Sequence, residues 1–87
     1  MNVRVRFFPP YQDLAGKTQE ILTFGEGTTV KDLLINLEVA YPDLRGMSAG
    51  LGDGHTVWVS RSGRTLGPAD ILHDGDEIVL LAPVMGG

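Results

Sequence analysis

"TVKDLLINLEVAYP", Thr29 to Pro42, decides how the rest of the chain is read. The Thr29 hydroxyl can accept from the first turn of a helix, and Asp32, three residues on, can accept from the backbone N–H of Thr29. Val30, Leu33, Leu34, Leu37 and Tyr41 recur at three- and four-residue spacing and share one helical face, and Pro42 ends the run. A helix that is apolar along one stripe needs an apolar surface to lie on. The segments on either side supply it.

Upstream, "NVRVRFF" alternates: Val3, Val5 and Phe7 fall on one side, Arg4, Arg6 and Phe8 on the other, the period of a half-buried strand. "PPYQDLAG" offers prolines where a short helical turn could begin and Gly16 where it would stop. "TQEILTF", Thr18 to Phe24, reads as a second strand, antiparallel to the first by proximity. Downstream, Asp43 to His55 holds four glycines and little periodicity, so a long mobile loop is expected. "TVWVS" alternates again, with Val57 and Val59 opposite Trp58. Arg61 to Asp76 is rich in turn residues, and "EIVLLAPV", Glu77 to Val84, is the last strand.

The order strand, strand, helix, strand, strand predicts an α+β fold, a small sheet with one main helix packed on one face. If the helix covers Val3, Val5 and Phe7, then Phe8 points to the uncovered face. On the last strand one alternate pair, Ile78 with Leu80 or Val79 with Leu81, must join it there.

The 87 residues make a single domain, residues 1–87, with 82–87 as an extended C-terminal tail. No stretch approaches the roughly 20 apolar residues that cross a bilayer, and the N-terminus lacks a signal-peptide pattern, so no membrane partner and a cytoplasmic location are expected. Eleven acids against seven bases give a formal charge of −4, which argues against nucleic acid. With no cysteine, thiolate metal sites and cysteine nucleophiles are excluded.

The usual catalytic motifs are absent. His55 and His73 lie in separate loops without a second ligand at metal spacing and read as surface histidines, so no metal is expected. Ser60 and Ser62 lack a nucleophile-elbow context, and "GLGDG", Gly50 to Gly54, lacks the lysine of a phosphate loop. In "DGD", Asp74 to Asp76, the glycine serves a turn and the acids read as keeping the start of a strand soluble.

The sequence stops at "LLAPVMGG", Leu80 to Gly87. Glycine has no Cβ, so a Gly86-Gly87 end could pass a channel too narrow for other residues and present a carboxylate to a nucleotide. Pro83 holds its φ near −65° and cannot join a ladder, so Pro83, Val84 and Met85 read as a segment built for insertion. A carboxylate is a poor acyl donor until activated, most simply as an acyl adenylate made from ATP. Attack by an amine then gives conjugation, and attack by a sulfur donor gives a thiocarboxylate.

The chain resembles the MoaD/ThiS sulfur carriers, ubiquitin-like proteins that include the small subunit of molybdopterin synthase. "VRFFPPYQDLAG", "TVKDLLINL" and above all "DGDEIVLLAPVMGG" carry the likeness. The resemblance implies a β-grasp fold and a Gly87 that is adenylated and converted to a thiocarboxylate. It implies as partners an adenylyltransferase of the ubiquitin-activating type, a sulfurtransferase as sulfur source, and the molybdopterin synthase large subunit. ATP would be used by the activating enzyme, with no cofactor bound to the chain, which is a carrier and not a catalyst. Phe8 and Leu81 match family positions on the docking face, which selects Val79 and Leu81 as the outward pair. Molybdopterin synthesis is the expected destination of the sulfur. A modifier joined through Gly87 to target lysines, a carrier for thiamine or cysteine biosynthesis, and a plain binding module remain alternatives.

Overall fold

A computed structural model describes residues 1–50 and 57–82. Strand β1 (Asn2–Phe7) is followed by the short helix α1 (Tyr11–Ala15) and strand β2 (Gln19–Thr23). Helix α2 (Val30–Ala40) comes next, then two 3₁₀ turns (Pro42–Leu44 and Met47–Gly50) and strands β3 (Trp58–Arg61), β4 (Arg64–Leu66) and β5 (Glu77–Leu81).

The start of α2 forms as its residue types dictate. Thr29 Oγ1 accepts from the Asp32 N–H at 3.2 Å, and Asp32 Oδ2 accepts from the Thr29 N–H at 3.1 Å. Those backbone and side-chain bonds to Thr29 hold the Asp32 carboxyl below its ordinary pKa. The helix ends at Ala40, and Tyr41 caps it in an extended conformation, φ −129°. Tyr41 is therefore half-buried beside the core, where its ring meets Phe7 edge-on at 6.0 Å and its hydroxyl bonds Glu20.

The sheet order is β2-β1-β5-β3-β4. β1 and β2 are antiparallel, as are β3 with β4 and β3 with β5, while β1 and β5 run parallel. This mixed sheet, with α2 across one face, is the β-grasp arrangement. Val3, Val5, Val59, Ile78 and Leu80 face Val30, Leu33, Leu34 and Leu37, and all are fully buried.

Three expectations need correction. Asp43 to His55 is not simply a mobile loop: its described part, up to Gly50, is folded into the two 3₁₀ turns and inserts Leu44 (2% exposed) and Met47 (3%) into the core. These two apolar residues, three apart, join it to the core. The turn-rich stretch from Arg61 to Asp76 contains β4, a three-residue strand closing a hairpin on β3 through Ser62-Gly63, both at positive φ. The sheet thus has five strands. Finally, the last strand ends at Leu81, not Val84; Ala82 has left the ladder, and Pro83 and Val84 lie outside the described residues.

Candidate functional site

The site is built on the face of the sheet that α2 leaves open. Opposed residues in a ladder point to the same side, so the register sorts the side chains. Arg4 pairs with Glu77, Arg6 with Val79, Trp58 with Leu81 and Ser60 with Val79. All of these project away from the helix.

Continuing the β1–β5 register by one residue brings Phe8 alongside Leu81, and the Phe8 N–H donates to the Leu80 carbonyl at 3.1 Å. Phe8, Leu81 and Trp58 therefore form one row across three strands. Phe8 is 41% exposed and Trp58 38%, while Leu81 and Val79 are half-buried. Aromatic groups clustered on an open sheet surface are candidate interface anchors. The row lies at the end of β5 from which Ala82 and the following residues continue.

Two polar devices at the other end of β5 set its position. Asp74 Oδ1 accepts from the Asn2 N–H at 2.7 Å, fastening the turn to the start of β1. Asp76 Oδ2 accepts from Arg61 Nη1 at 2.9 Å and from the His73 N–H at 2.8 Å, fastening it to β3. The acids of "DGD" are thus anchors, not merely solubilising charges. Gly75 between them has φ 84°, which a residue with a Cβ resists. Below the apolar row, Glu77 lies 3.7 Å from Arg4 and 3.4 Å from Arg6. These exposed pairs add little stability but put charge beside the row on the same face.

Of the residues singled out from sequence, Phe8, Val79 and Leu81 stand together on this face. Pro83, Val84, Met85, Gly86 and Gly87 lie outside the described residues, as do His55 and most of "GLGDG". His73 is exposed, and no group of three metal-ligating side chains occurs among the described residues. Trp58 was missed as a site residue. Its strand showed that it faces away from Val57 and Val59, but nothing local says that its neighbour is Leu81.

Residues 5–87 match the ThiS family. The chain belongs to the ThiS family. Small archaeal modifier protein 3 of Haloferax volcanii is 32% identical over 94 aligned residues, covering all of both chains. The molybdopterin synthase sulfur carrier subunit of Chlamydomonas reinhardtii is 27% identical over 89 residues, again covering both entirely. The crystal structure of SAMP1 from Haloferax volcanii superposes with a TM-score of 0.79 at 28% identity, with 100% of each chain covered. The β-grasp fold and the sulfur-carrier, ubiquitin-like character read from the sequence agree with these relatives. This ThiS-family chain is a carrier and not an enzyme.

Proposed function

We propose that this carrier delivers sulfur as a thiocarboxylate on Gly87, and that its destination is molybdopterin synthesis. The observation that carries the proposal is the row Phe8–Leu81–Trp58, an apolar docking surface at the end of the strand that leads to residues 83–87. A partner seated there receives the tail at a fixed offset. In this reading the carboxylate of Gly87 is first adenylated by an ATP-using enzyme, with pyrophosphate leaving. A sulfur donor supplied by a sulfurtransferase then displaces AMP. The name of the Chlamydomonas relative, a subunit of molybdopterin synthase, favours a larger synthase subunit as the partner.

The experiment is an intact-mass measurement of the protein taken from its native cells. The proposal expects a species in which one oxygen of Gly87 is replaced by sulfur. Isopeptide adducts to lysines, without that species, would instead support the modifier reading that the Haloferax relative's name favours.

A further inference from the structure

The two edges of the sheet are unlike. β4 is three residues long and flanked by Gly63 and Gly67, too short to recruit another strand. β2 is five residues long, and Gln19–Thr23 contains no proline or lysine, two of the residues that blunt an exposed edge. Among the described residues, nothing pairs with the side of β2 turned away from β1. At its centre Ile21 is 60% exposed on the open face, with the uncharged Gln19 and Thr23 on either side. The one charge in the strand, Glu20, is turned to the helix side and already held by the Tyr41 hydroxyl and by Lys17 at 3.8 Å.

We propose that β2 is a self-association edge, pairing antiparallel with β2 of a second copy of this chain. Charge selects the occupant and the direction. Lys17, whose ammonium is shared with Glu20 of its own copy, lies two residues before the strand, and Glu26 lies three residues after it. Antiparallel pairing sets the Lys17 end of each copy beside the Glu26 end of the other, twice, whereas parallel pairing sets like charges together. Pairing that keeps both open faces on the same side requires opposed residues of equal parity. The register centred on Ile21 meets this, placing Ile21 opposite its own copy, Gln19 opposite Thr23 and Glu20 opposite Leu22. Registers centred one residue earlier would oppose Glu20 to Glu20.

The result is a continuous ten-stranded sheet, five strands from each copy, closed by a two-fold axis. The Phe8–Leu81–Trp58 row stays free: its nearest member, Phe8, sits at the end of β1, one strand in from this edge and about 5 Å away at the usual strand spacing, and Leu81 and Trp58 lie farther in. Two rows then face the same side at opposite ends of the sheet, so each copy can still dock a partner. Two paired five-residue edges make a small interface, so the dimer is a weak, exchanging one.

Sedimentation equilibrium over a concentration series tests the pairing, with amide hydrogen exchange at the low and high ends of that series. The expected result is an apparent mass rising from one chain toward two, with slower exchange at high concentration confined to the 19–23 strand. Ile21→Lys, which opposes two ammonium groups at the axis, should keep its melting temperature and weaken association about tenfold or more. A wild-type protein that stays monomeric up to its solubility limit overturns the proposal. So does a dimer whose concentration-dependent protection lies elsewhere, whatever Ile21→Lys does to folding. Protection of the same strand only on adding an extended peptide from another protein would make the edge a docking site for that partner and also overturn it.

Discussion

Leu81 and Trp58 stand directly opposite each other in the β3–β5 ladder, on the side of the sheet that α2 does not cover. Phe8 flanks Leu81 from β1, so three strands that are remote in sequence contribute one apolar group each to a single row. The row is solvent-facing and makes no part of the core cluster.

Truncation within this row should therefore separate binding from folding. Phe8→Ala, Leu81→Ala and Trp58→Ala are each expected to weaken binding to the activating enzyme or the larger synthase subunit about tenfold or more. The unfolding midpoint should barely move. Titration calorimetry alongside denaturant melts checks this; unchanged affinity with lost stability would mean that the row is not the docking surface.

Gly86 and Gly87 set the chemistry of the tail. Deleting Gly87, or adding a residue after it, should abolish ATP–pyrophosphate exchange with the activating enzyme while leaving the melt unchanged. Gly86→Ala should slow exchange, since an added methyl in a tight channel typically costs about 1 to 3 kcal/mol. Exchange at the wild-type rate in the extended protein would sink the carrier chemistry proposed for Gly87.

Leu37→Ala provides the opposite pattern. Leu37 is fully buried beneath α2 against the sheet. The loss should be about 2 to 5 kcal/mol of folding stability. Once the remaining folded fraction is corrected for, affinity for the docking partner should be preserved.

Glu38 ties the 3₁₀ turns to α2. Its carboxylate accepts from the Ser48 N–H at 3.2 Å and from Ser48 Oγ at 2.8 Å. Partial burial raises its pKa, but the bonds from Ser48, joined by backbone groups of Gly46 and Met47, outweigh this and leave it lowered. A carboxyl with a depressed folded-state pKa contributes stability above the ordinary glutamate range and loses it as pH falls through the folded value. Glu38→Gln should thus cost about 1 kcal/mol at neutral pH, a figure kept small by partial solvent exposure. The difference from wild type should vanish in acid. Denaturant melts from neutral pH downward measure it, and a gap that persists below the range of both pKa values would assign the effect to packing.

Much of the architecture was legible because it is encoded locally. The β1 alternation put Val3, Val5 and Phe7 inward and Phe8 outward, because a strand's two-residue period depends only on backbone geometry. The Thr29–Asp32 box and the Leu33, Leu34, Leu37 stripe placed α2, because capping and helical periodicity act over three or four residues. The Gly-Gly chemistry needed no fold at all, only a backbone without Cβ and a carboxylate that must be activated.

Tertiary structure alone decided which strands meet. The parallel pairing of β1 with β5 joins residues more than 70 positions apart, such as Arg4 and Glu77, and no local pattern names a strand's partner. That pairing sets Phe8 beside Leu81, and the β3–β5 ladder then brings Trp58 to the same row. β4 stayed hidden for a related reason: three residues carry too little alternation to be read, and its register comes entirely from β3. Leu44 and Met47 looked like loop residues because their burial depends on the flanks of α1 and α2 that their turns pack against, surfaces that come together only once the chain is folded.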